Sequence, residues 1–175
     1  MSSVPVLAAI GIGSNLANPL GQVQRAVMAL RALPATTLLA VSPWYGSKPV
    51  GGPAEQPDYI NGAATLRTRL GPLDLLDALQ AIEQQQERER HTRWGARTLD
   101  LDLLLYGDHV LDSAQLVVPH PRLCDRHFVL QPLADIASDW RLPNGCTVAS
   151  SLAALTLRAP GESESLWRLP ASSLQ

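Results

Sequence analysis

Two aspartates set two residues apart, Asp100 and Asp102, interrupt an otherwise apolar run, Thr98-Leu-Asp-Leu-Asp-Leu-Leu-Leu-Tyr106. Side chains alternate along a β-strand, so both carboxylates share one face while Leu99, Leu101, Leu103 and Leu105 share the other. At a rise of about 3.3 Å per residue the two Cβ atoms lie about 7 Å apart, near enough for the acids to lean together on one or two hard cations. Left alone they would repel each other, and beside so apolar a strand their desolvation would be costly. A half-exposed strand with a polar outer face is the plainer reading. Leu104 and Tyr106 continue the acid face, however, so that face is not simply solvated.

Four arginines, Arg88, Arg90, Arg93 and Arg97, stand just upstream. Planar guanidinium groups grip phosphate through two hydrogen bonds at once. Lys48 is the only lysine against thirteen arginines, and no GxxxxGK[ST] loop occurs. A phosphate site in this chain is therefore built from arginine, backbone or metal. Alone, the arginines read as a surface segment balanced by Glu87 and Glu89. Next to two aspartates they read as half of a device for neutralising a triphosphate during transfer. Aromatic side chains border the loops: Trp44, Tyr45, Tyr59 beside Asn61, Trp94 and Phe128. They can pack in a core or stack on a flat ring. His120, in Val-Val-Pro-His-Pro, is a candidate phosphate or base contact.

The elements that must position these groups follow from periodicity. Val4 to Ile12 reads as a buried strand entering a turn at Gly13-Ser14-Asn15, and Leu20 to Leu33 as a helix closed by Pro34. Thr36 to Tyr45 reads as a strand in which Pro43 marks an edge or bulge. A long Gly- and Pro-rich loop covers 46–58, of a kind that is often functional. Tyr59 to Leu66 is a third strand, Pro72 opens a helix carrying Leu75, Leu76, Leu79 and Ile82, and Thr98 to Tyr106 is a fourth strand. The order βαββαβ predicts an α+β, ferredoxin-like core: an antiparallel sheet with helices packed on one face. C-terminal helices are expected at 127–137 and 148–155. The chain reads as one domain over 1–160, with a mobile, uninformative tail over 161–175.

Apolar residues make up 46 % and charged residues 17 %, which suits a packed core and excludes global disorder. The net charge of -2 argues against a general nucleic-acid binder. No export signal and no apolar run of about 18 residues is found, so the expectation is a cytoplasmic protein with no membrane span. Cys124 and Cys146 have no paired spacing and are expected to be free thiols.

The chain resembles the 6-hydroxymethyl-7,8-dihydropterin pyrophosphokinases. The matching pieces, in order, are Ile12-Gly-Ser-Asn15, Gln56-Pro-Asp-Tyr-Ile-Asn61, Ile82-Glu83, Arg93-Trp-Gly-Ala-Arg-Thr-Leu-Asp-Leu-Asp102 and Val118-Pro-His-Pro121. The resemblance implies transfer of the β,γ-diphosphate of ATP to the hydroxymethyl oxygen of the dihydropterin, releasing AMP. It implies two magnesium ions on Asp100 and Asp102, with Arg88 and Arg97 acting on the phosphates. It gives Tyr59 and Phe128 as a sandwich for the pterin, Asn61 as a hydrogen-bonding partner, and Ser47, Val50 and Trp94 as further acceptor contacts. Gln80, Glu83, Arg90, Arg93, Leu103, His120 and Arg126 are implied for the nucleotide. A monomer with no nucleic-acid partner is expected. The chain departs from the pattern at Ala96, where proline is common, at Pro121, where some members carry an aromatic residue, and in a loop between Glu83 and Trp94 one residue shorter. Two other readings stand beside this one: a non-catalytic ferredoxin-like module that binds a nucleotide or metal, and a magnesium phosphotransferase that releases ADP.

Overall fold

A computed structural model describes residues 4–15, 18–49, 56–88 and 99–171. The first strand, β1 (Val6–Ser14), leads into helix α1 (Pro19–Arg31). Asn18 caps that helix by accepting the Gly21 amide at 3.2 Å, and Pro19, which has no N–H to lose, opens its first turn. The single strand expected over 36–45 is two strands, β2 (Thr36–Val41) and β3 (Tyr45–Ser47), which pair side by side with β4 (Tyr59–Thr68). The break falls at Pro43, which cannot donate to a ladder. Ser42 carries the pairing across the gap, its hydroxyl accepting the Ala63 amide at 2.8 Å. Helix α2 (Pro72–Arg88) then returns the chain to β5 (Asp100–Tyr106).

All neighbouring strands are antiparallel, in the order β5-β1-β4-β3, with β2 also on β4. That is the ferredoxin-like arrangement the sequence predicts. Val23, Ala26 and Leu30 of α1 and Leu75, Leu79 and Ile82 of α2 bury against Ala8, Ile10, Ile12, Ala64, Leu66, Leu101 and Leu103 on one face of the sheet. A small hairpin, β6 (Leu111–Asp112) with β7 (Val117–Val118), and a 3-10 turn at Leu123–Asp125 precede α3 (His127–Ala137) and α4 (Val148–Arg158). These C-terminal helices cover the opposite face, where Leu130, Leu133, Val148 and Leu155 meet Ala9, Ala63, Leu104 and Leu105. The sheet is thus the middle of three layers.

Two expectations are corrected. Strict alternation along β5 holds through Leu104 and fails at Leu105, because Ile10 pairs with Leu103 while the adjacent Ala9 pairs with Leu105. This bulge puts Leu104 and Leu105 together in the α3–α4 layer and returns Tyr106 to the α1–α2 layer, where its hydroxyl donates to the Leu70 carbonyl at 2.7 Å. The segment after 160 is not a loose tail over its whole length. Pro160–Glu164 forms a short helix, α5, and Leu166–Arg168 a strand, β8, on the free edge of β3, with the Leu169 amide donating to the Trp44 carbonyl at 2.8 Å. Trp167 lies across Gly46, where a Cβ would come within 2.2 Å of the indole. Among the described residues no helix is long and apolar enough to cross a membrane. Both cysteines are free.

Candidate active site

On the α3 side of the sheet, where β1 ends and β4 and β5 begin, a cleft of about 490 Å³ opens. Its floor is set by backbone pairing. Asp102 lies directly opposite Gly11 and Asp100 opposite Gly13, so both carboxylates stand beside positions without side chains, and all four residues line the cleft. Leu101, between the acids, points the other way into the core and is 4 % exposed. Its amide donates to Glu83 Oε1 at 2.7 Å. Glu83, half-buried on α2, therefore clamps the short stretch of β5 that carries both acids.

A second wall comes from β3 and β4. The buried Asn61 amide nitrogen donates to Ser47 Oγ at 2.8 Å, which fixes the Asn61 carbonyl oxygen close to Gly13. Tyr59, at the start of β4, lines the same cleft. Across from it, the first turn of α3 supplies Phe128 and the preceding Arg126, whose guanidinium carbon sits 5.5 Å from the Phe128 ring centroid. The helix is braced against β3 by Tyr45, whose hydroxyl donates to Asp135 Oδ2. Burial, and then the Asp135 carboxylate, push the Tyr45 phenol up to about 12.

The acids, Ser47, Tyr59, Asn61, Arg126 and Phe128 all line this one cleft. Four further charged residues line the cleft: Lys48, Arg122, Asp125 and Glu162. Lys48 and Arg122 had a signal, since one follows Ser47 and the other stands two residues past His120. Gly11 and Gly13 had one too, as glycines two apart on one strand face. Glu162 had none. Gln80 is exposed on α2, and the Leu103 side chain is buried in the α1–α2 layer. The His120 ring nitrogen Nδ1 accepts the Arg122 amide at 3.1 Å, which orients the imidazole and leaves Nε2 as the other hydrogen-bonding atom. None of Gln80, Glu83, Leu103 or His120 is a lining residue of the cleft. The Arg88 side chain, Val50, Arg90, Arg93, Trp94 and Arg97 lie outside the described residues.

Among the described residues no group of three or more His, Cys, Asp or Glu side chains could enclose a metal. What the cleft offers is a pair of hard oxygen donors with open space in front of them. That suits a cation which keeps several waters and completes its shell with phosphate oxygens.

Residues 9–138 match the family model for 7,8-dihydro-6-hydroxymethylpterin-pyrophosphokinase (HPPK). The chain is 57 % identical over 145 residues to the 2-amino-4-hydroxy-6-hydroxymethyldihydropteridine pyrophosphokinase of Pseudomonas aeruginosa, covering 83 % of this chain and 89 % of that one. It is 49 % identical over 139 residues to the enzyme of that name from Haemophilus influenzae, covering 79 % and 86 %. In fold it is similar to a crystal structure of HPPK-DHPS in complex with substrates, with a TM-score of 0.74 at 12 % identity over 95 % of this chain. The wild-type Plasmodium falciparum HPPK-DHPS with pterin and p-hydroxybenzoate gives a TM-score of 0.73 at 12 % identity over 94 % of this chain. The chain spans 47 % and 46 % of those two longer chains.

Proposed function

The chain belongs to the 7,8-dihydro-6-hydroxymethylpterin-pyrophosphokinase family and transfers diphosphate from ATP to 6-hydroxymethyl-7,8-dihydropterin in folate biosynthesis, and for that reaction we propose that Asp100 and Asp102 are the metal-holding residues. The observation that carries this is the pairing of the two acids with Gly13 and Gly11 at the floor of a cleft that also contains Asn61, Tyr59 and Phe128. Two magnesium ions held there would supply charge neutralisation and alignment for the triphosphate. Glu83 keeps the acid-bearing backbone fixed, so the carboxylates are oriented before substrate arrives.

Tyr59 and Phe128 take the two faces of the pterin, while Asn61 and Ser47 read its polar edge. Burial of that edge pair in a mutual hydrogen bond makes it a rigid template, which favours a ring of matching donors and acceptors. Arg126, already over the Phe128 ring, balances the phosphate charge next to the acceptor. Arg88, Arg90, Arg93 and Arg97 close on the phosphates with Trp94 over the acceptor, and Val50 adds a backbone contact. Gln80, Glu83, Leu103 and His120 belong to the nucleotide side. The enzyme works as a cytoplasmic monomer with no nucleic-acid partner.

The test is incubation with ATP, magnesium and 6-hydroxymethyl-7,8-dihydropterin, followed by nucleotide analysis. AMP accumulates one for one with the pterin diphosphate, and chelation of magnesium stops it. Asp100→Asn and Asp102→Asn each lower kcat by about a hundredfold or more while the far-ultraviolet circular dichroism is unchanged. Release of ADP, or turnover near normal in either variant, would overturn the assignment.

A further inference from the structure

His127 is a buried histidine with no part in the transfer as described. It is 3 % exposed and is the first residue of α3. Its Nε2 lies 3.2 Å from Thr156 Oγ1 on α4. The Thr156 hydroxyl sends its one hydrogen to the Leu152 carbonyl at 2.9 Å, so it has only lone pairs left for the histidine. The other ring nitrogen, Nδ1, is a buried atom with no hydrogen-bond partner. Facing it at 3.6 Å is Glu162 Oε2. Two atoms that both carry lone pairs approach favourably only when a hydrogen lies between them.

The same turn of α3 lacks support of its own. Arg126, at the N-cap position, makes no side-chain capping bond, and the first turn contains no acid. A helix start of that kind exposes unsatisfied amides and a partial positive charge. Glu162 brings a carboxylate to it from α5, which β8 ties to the sheet through β3. The other nearby acid, Asp125, is paired with Arg158 at 3.4 Å. The supported turn is the one that delivers Arg126 and Phe128 into the cleft, and Glu162 lines that cleft as well.

We propose that Glu162 is a positioning residue for the acceptor: through the His127 ring it fixes the first turn of α3, and with it the Phe128 ring. The inference rests on the transfer reading above. Glu162→Ala raises the KM for the hydroxymethyldihydropterin about threefold to tenfold, while kcat and the KM for ATP stay within about twofold. Glu162→Gln, whose side-chain amide can donate to or accept from Nδ1, recovers most of the acceptor affinity. Nitrogen-15 spectra of the histidine rings show the His127 Nδ1 signal moving in the alanine variant, and Glu164→Gln, on the same short helix, leaves both readouts alone. An unchanged acceptor KM in Glu162→Ala overturns the inference. So does a parallel loss of kcat and both KM values, or a glutamine variant no better than alanine. If the unaltered enzyme forms no AMP, the transfer reading fails instead, and equilibrium binding of the acceptor to the same variants still decides the role of Glu162.

Discussion

A few hydrogen bonds brace the cleft, and they decide what the site can do. Glu83 grips the Leu101 amide between the two acids, and Asn61 is tied to Ser47. Tyr45 joins β3 to α3 through Asp135, and its phenol is raised from an ordinary 10 to about 12. The folded state therefore favours the protonated phenol. The stabilisation is complete below pH 10 and is lost as pH rises through 12. Urea midpoints measured between pH 9 and pH 12 should fall, and Tyr45→Phe should fall less steeply. Equal slopes would mean that the bond to Asp135 does not exist in solution. Most of this scale was legible. The Asp100–Asp102 alternation is a local property of five residues, Tyr59 and Asn61 lie in the quoted piece Gln56–Asn61, and Phe128 was implied only by the resemblance. Glu162 was not, because its place depends on a fold-back of the last segment and no neighbour in sequence marks it. Val50, Arg90, Arg93, Trp94 and Arg97 fall outside the described residues.

At the level of elements, β8 is the part that periodicity missed. Leu166–Arg168 is three residues long and has no apolar rhythm; it becomes a strand because β3 leaves an unpaired edge. The contact that seats it is Trp167 across Gly46. Gly46→Val pushes a branched side chain into the indole, so β8 should detach at a cost of about 1–3 kcal/mol. The readout is a red shift of tryptophan emission that is absent when the same change is made in a Trp167→Phe background. An unshifted spectrum would mean that β8 does not lie where Gly46 requires. By contrast, α1, α2 and α3 were predictable from apolar spacing to within a few residues, since each buries one face against a layer. The split of β2 from β3 was only hinted at by Pro43. The exact break is set by Ser42 reaching Ala63, a contact between residues far apart in sequence.

Seen whole, the molecule uses its C-terminal third as structure. Leu142, Val148 and Leu155 share a buried cluster with Ala9 and Ala63 from the middle of the sheet. Leu155 is 2 % exposed, so Leu155→Ala should cost about 2–5 kcal/mol and should lower the stability of the entire chain in one cooperative transition. A calorimetric trace in which only a minor early transition moved would show that α4 folds as a separate unit. The antiparallel βαββαβ core was readable because its order of elements admits few topologies. The covering of the second face was not, since apolar helices at 127–137 and 148–158 carry no label for the surface they will meet.

The irregularity at Leu104 gives β5 a spare residue. With Leu104 absent, Leu103 opposite Ile10 and Leu105 opposite Ala9 would become an ordinary uninterrupted ladder, and Asp100 and Asp102 would keep their places against Gly13 and Gly11. This strand can therefore lose length on its apolar half while its acidic half stays in register.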